Sequence, residues 1–98
     1  MGARRHRRRT VRVQVAYEAG GGVHKGVATT LGAGGLFLQT DQGLARGTEL
    51  VARFRLRDGG ALHEIDARVV WGQPAGGCGL EFTDPVAAAR LAHELESD

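Results

Sequence analysis

Apolar residues recur at every second position soon after the start of the chain. Val11, Val13, Val15 and Tyr17 are separated by Arg12, Gln14 and Ala16, the period of a half-buried strand. Gly20-Gly21-Gly22 closes that strand with a loop, and a second covers about Val23 to Leu31. Beyond Gly32-Ala33-Gly34-Gly35 lies a third, Leu36 to Thr40. Leu50, Ala52, Phe54 and Leu56 give one face of a fourth, ended by the hairpin turn Asp58-Gly59-Gly60. A fifth runs from about Ala61 to Trp71 with Ile65, Ala67, Val69 and Trp71 in phase, and Gly76-Gly77 leads into a short sixth, Gly79 to Phe82. The period then changes. Asp84-Pro85 pairs a helix N-cap with a first-turn proline, and Ala87, Leu91 and Leu95 make an apolar stripe on a helix over about 84–96. Six short strands separated by glycine turns predict a mainly β fold, a closed antiparallel barrel with a C-terminal α-helix.

Charge divides this chain unevenly. Six of its twelve arginines (Arg4, Arg5, Arg7, Arg8, Arg9 and Arg12) fall within the first twelve residues, and no acid precedes Glu18. The formal charge is +2 overall, while residues 13–98 carry seven cations against eleven acids, a net of −4. The chain therefore reads as an arginine-rich arm over residues 1–10 and a single barrel domain over residues 11–98. A guanidinium cluster on an otherwise acidic body suits an anionic partner, and arginine favours bidentate phosphate contacts and stacking on flat rings. Such an arm is a solvated tail, a clamp over a bound ligand, or a nucleic-acid arm. Its closeness to Val11 favours the clamp. Few aromatics and a negative body speak against nucleic acid.

Other features narrow the class further. Cys78 is the only cysteine, which excludes an intramolecular disulfide, fits a reducing cytosol, and reads as a packing residue. No apolar run approaches the roughly 18 residues of a membrane span, so no membrane insertion is expected. Arg4-Arg5 has no apolar segment after it and is not an export signal. The expected location is the cytoplasm.

Catalytic chemistry finds no residues to carry it. His6, His24, His63 and His93 lack metal-ligand spacing, and the only serine, Ser97, lies at the tail. A non-enzyme without cofactor or metal is expected. The segment Thr30 to Gly35 is not a Walker loop, since Leu36 stands where lysine is needed, and it lacks the dinucleotide fingerprint. It reads as a tight turn or bulge between strands that also brings backbone N–H groups near a phosphate or base. Arg53, Arg55 and Arg57 form a solvated strand face with Glu49, Glu64 and Asp66 as cross-strand partners, or a second basic surface for a partner.

The order RRHRRRTVRVQVAYE, GVATTLGAGGLFLQT, GTEL, ARVVWG and GCGLEF resembles the PilZ domain family from about Arg4 to Leu95. The resemblance implies the same barrel and helix, and a receptor for cyclic di-GMP. Two family motifs would hold that ligand: RxxxR before the first strand, and [D/N]xSxxG at the junction of the second and third. Here RxxxR is met by Arg4 with Arg8 and by Arg5 with Arg9. The first pair is favoured, because Arg9 falls where the family usually has an apolar residue. In the second motif Gly35 matches the glycine, Gly32 stands in the serine position and Thr30 in that of Asp or Asn. Losing two polar contacts of about 1–3 kcal/mol each would weaken binding by roughly tenfold to several-thousandfold.

The resemblance thus implies a stand-alone receptor. In it, cyclic di-GMP is gripped between the arm and the Thr30–Gly35 turn, and an unidentified protein partner reads the ordered arm. The alternative is a degenerate domain that has lost the nucleotide and acts as a protein–protein adaptor in motility or surface-organelle assembly. Nonspecific nucleic-acid binding through the arm comes third.

Overall fold

The leading alternation becomes a long strand, β1 (Arg8–Ala19), in the computed structural model, which describes residues 8–73 and 76–97. It is followed by β2 (Gly22–Gly32), β3 (Gly35–Gln39), β4 (Glu49–Arg55), β5 (Leu62–Gln73), β6 (Gly77–Phe82) and α1 (Pro85–Ser97). All neighbours are antiparallel, and the sheet closes in the order β1-β2-β3-β6-β5-β4. The predicted six-stranded barrel with its C-terminal helix is the observed fold.

Inward positions fill the barrel as the period predicts. Val15, Tyr17, Leu31, Leu36, Leu38, Ile65, Val69 and Leu80 are fully buried, with Ala28, Ala52 and Ala67 giving the larger side chains room. Tyr17 keeps its hydroxyl satisfied by Thr40 Oγ1 at 2.7 Å, and burial pushes its phenol pKa up. Ala19 pairs with Gly22, so Gly20 and Gly21 alone make the turn, both at positive φ. That is the conformation of a type I′ hairpin, which only glycine and a few polar residues adopt without strain.

The helix forms where its cap signals lie. Asp84 Oδ1 accepts hydrogen bonds from the backbone N–H groups of Val86 and Ala87, at 3.1 and 3.2 Å. Leu91 and Leu95 are buried and Ala87 packs against the same core. At the other end of α1, His63 Nε2 lies 2.5 Å from Glu94 Oε1, and the Arg9 guanidinium donates to the backbone carbonyl of Leu95.

Two expectations change. The arm boundary falls earlier than residue 10: Arg8, Arg9 and Thr10 belong to the barrel, because β2 extends to Gly32 and pairs with all three. Trp71, read in phase with Ile65, Ala67 and Val69, is instead about half exposed. The β5–β6 register passes from Val69–Leu80 directly to Trp71–Gly79, so Val70 is an extra residue, and this bulge turns the indole outward.

Candidate functional site

Directly paired residues in an antiparallel ladder share a face of the sheet. Thr10 pairs with Thr30, Thr30 with Phe37, Phe37 with Gly79, and Gly79 with Trp71. These pairings define one continuous row on the outer surface, across β1, β2, β3, β6 and β5. At its far end the rings of Phe37 and Trp71 lie 5.3 Å apart, tilted by 32°. Glycines make this seat. A Cβ on Gly79 would come within 2.3 Å of Trp71 Nε1, and one on Gly77 within 2.8 Å of Phe37 Cζ. The aromatic pair therefore rests on backbone.

Arg8, at the start of β1, meets the near end of the row. Arg8 pairs with Gly32 and so projects on the face that carries Thr10 and Thr30. Arg9 pairs with Leu31, a core residue, and belongs to the opposite face, where it reaches Leu95. Two adjacent arginines thus serve different surfaces. Arg4 and Arg5 lie outside the described residues. The RxxxR spacing is also met by Arg8 with Arg12, but there β1 bulges: Val11 and Arg12 together oppose Thr29.

Among the expected site residues, Arg8, Thr30 and Gly32 come together, with Gly35 two residues before Phe37 on β3. Gly32 does not have a left-handed backbone, so a side chain there meets no φ penalty. Gly35 is different. A Cβ would lie 2.0 Å from the Leu80 carbonyl oxygen, so glycine is required by the β3–β6 contact with or without a ligand.

This face can present guanidinium for phosphate, a threonine hydroxyl for a polar edge, and two rings for a flat base. Phe37 and Trp71 were not among the expected site residues. Phe37 was readable, since it stands between the inward Leu36 and Leu38; Trp71 was hidden by the bulge.

Other chemistry is thin. Among the described residues no group of three or more His, Cys, Asp or Glu side chains could hold a metal, and no helix is long and apolar enough to cross a membrane. Cys78 is buried and its thiol pKa is pushed up by that burial, the state of an inert packing residue.

The sequence matches the PilZ domain family model over residues 3–96. The chain belongs to the PilZ domain family. This PilZ domain is similar in structure to the PilZ domain of CeSA from a cellulose-synthesizing bacterium, with TM-score 0.70 and 21% identity over 92% of this chain and 98% of that one. It is similar to the Bacillus subtilis inhibitor of motility MotI/DgrA, with TM-score 0.75 and 17% identity over 98% of this chain and 52% of that one. It is also similar to the PilZ domain of YcgR from Escherichia coli, a structure with c-di-GMP, with TM-score 0.77 and 13% identity over 97% and 90% of the two chains. At these identities the likeness is one of fold. A comparison with curated proteins gave no match.

Proposed function

We propose that this PilZ domain is a non-enzymatic, cytoplasmic receptor that binds cyclic di-GMP on the outer row and signals its occupancy to a protein partner. One observation carries the reading. The Arg8–Gly32 pairing puts Arg8 at the end of a surface row whose other end is the Phe37–Trp71 ring pair. A ligand with phosphates and flat bases needs both. Arg4, Arg5 and Arg8 would hold the phosphates by charge-assisted hydrogen bonds. The Thr30 hydroxyl would meet a guanine edge, and Phe37 with Trp71 would offer it a stacking surface. Gly32 would contribute backbone only.

Family membership and the shared fold with the c-di-GMP-bound PilZ domain of YcgR support the ligand class. Arg9 supplies a route outward, because it joins the segment that would order on the ligand to the last turn of α1.

Replacing Arg4, Arg5 and Arg8 together with alanine tests this. Calorimetric binding of cyclic di-GMP is expected to vanish while the melting transition stays in place. Undiminished binding would refute the clamp.

Thr30 and Gly32, in place of the Asp or Asn and the Ser of the family motif, favour the second reading, an adaptor without a nucleotide. In that case the variant changes nothing because the parent does not bind.

A further inference from the structure

The barrel seam between β1 and β4 is only partly zipped. Their ladder runs from Val15–Phe54 to Glu18–Val51 and no further. Toward the other end of the seam, β1 continues through Gln14, Val13 and Arg12 while β4 ends at Arg55 and turns away. The strands part there into an open cleft of about 540 Å³.

The charge of this cleft is one-sided. Five cations, Arg12, Lys25, Arg53, Arg55 and Arg57, line it against a single acid, Asp58. Arg53 is neutralised by Glu64 at 2.6 Å and Glu18 at 3.1 Å, the cross-strand pairing expected of a solvated face. That compensation lapses at Arg55 and returns at Arg57, whose guanidinium lies 3.9 Å from Glu94 Oε2. Arg55 stands opposite Leu62, and among the described residues its side chain donates only to the Gly60 carbonyl, at 2.7 Å. The side chains of Arg12 and Lys25 make no hydrogen bond or ion pair with any described residue.

Aliphatic surface completes the cleft. Leu56 contributes to it, and Leu62 is about half exposed on its rim. Phe54 faces the barrel interior, so the cleft offers no exposed aromatic ring on which a base could stack. A parted strand edge accepts an extended chain by main-chain pairing, with alternate side chains going to opposite sides.

We infer that the β1–β4 cleft docks an extended acidic segment of a partner protein. Carboxylates of that segment meet Arg12, Lys25 and Arg55, while alternating aliphatic side chains cover Leu56 and Leu62. This surface is separate from the Thr10–Trp71 row and does not depend on the nucleotide reading. Electrostatic complementarity of this kind supplies selectivity and association rate more than raw affinity, so binding is expected to weaken with salt.

The test is amide NMR titration of the full chain with a short peptide alternating glutamate and leucine, alongside its glutamine–leucine counterpart and a single-stranded DNA. The expected result is saturable shifts at Gln14, Lys25, Arg55 and Leu62 with the glutamate peptide, and affinity at least about tenfold weaker for the glutamine peptide. The doubly reversed variant Lys25→Glu with Arg55→Glu, both exposed positions, is expected to lose those shifts while its melting temperature and cyclic di-GMP response stay those of the parent. Absent shifts, shifts confined to the Arg8–Trp71 face, equal binding of both peptides, or DNA matching the glutamate peptide at the cleft would each overturn the inference. Loss of nucleotide binding with peptide binding retained would sink only the receptor reading.

Discussion

Arg9 donates a hydrogen bond to the backbone carbonyl of Leu95, tying the arginine-rich start of β1 to the last turn of α1. That turn has no basic residue of its own, so the carbonyl ends of the helix are met by a guanidinium from the opposite end of the sequence. Arg9→Ala is expected to cost about 1 kcal/mol of stability, the scale of a charged group satisfying a helix terminus. Arg9→Lys should restore part of it. Thermal melts of the two variants check this, and no difference from the parent would remove Arg9 from the structural role.

Gly35 and Gly79 separate backbone necessity from side-chain seating. At Gly35 an added methyl meets the Leu80 carbonyl, a backbone atom that moves only with its strand. Gly35→Ala is therefore expected to lose about 3 kcal/mol or more, among the large single-substitution effects. At Gly79 the methyl meets the Trp71 indole on the outer surface, and the ring can swing away. Gly79→Ala should cost far less and shift tryptophan emission to the red. Paired urea melts and fluorescence spectra distinguish the two. A ligand-binding defect in the Gly35 variant would report unfolding rather than a lost contact.

The exposed aromatic pair predicts a binding effect without a stability effect. Trp71 is 48% exposed, so Trp71→Ala should leave the melting temperature within a few degrees of the parent. If a guanine stacks there, affinity for cyclic di-GMP should fall roughly tenfold or more, matching the 1–3 kcal/mol scale of base–aromatic stacking. Calorimetry of the folded variant decides it. Unchanged affinity would place the base elsewhere.

Thr30→Asp with Gly32→Ser rebuilds the polar pair that the family motif carries. The backbone at Gly32 is outside the left-handed region, so serine meets no φ penalty there. Affinity should rise about tenfold or more if these two positions contact the nucleotide. A gain from undetectable to measurable binding would instead mark the parent as an adaptor that has lost its ligand.

Cys78 gives a pH dependence with a definite sign. Burial raises its folded-state thiol pKa above the unfolded value, so above that value the unfolded chain releases a proton that the folded chain retains. Its contribution to stability is complete below the ordinary thiol pKa and declines as pH rises through it. Cys78→Ala should flatten the alkaline side of the stability profile measured by urea titration. The native thiol should also resist alkylation until the protein unfolds.

Much of this was legible because the barrel is built on parity. Leu50, Ala52 and Phe54 are inward as their spacing indicates, Asp84 caps the helix it announces, and Arg53 finds Glu64 directly across the sheet. What escaped were breaks in parity. A bulge at Val70 turns Trp71 outward, and one at Val11 and Arg12 lets the strand continue back to Arg8 under side chains that read as part of the arginine-rich arm. Bulges arise from backbone pairing with a distant strand, which a local period does not encode. The separation of Arg8 from Arg9 follows parity, since Arg9 is in phase with Val11, Val13 and Val15, while the ladder with β2 is what sets Arg8 opposite Gly32.

The most direct measurement is calorimetric titration of the full chain with cyclic di-GMP at about 0.15 M salt, where exposed charges beyond about 8 Å are screened. GMP and cyclic di-AMP serve as controls. Selective one-phase binding at about 10 µM or tighter is the predicted result. No heat and no thermal shift at large ligand excess, or equal response to all three nucleotides, would contradict the receptor reading.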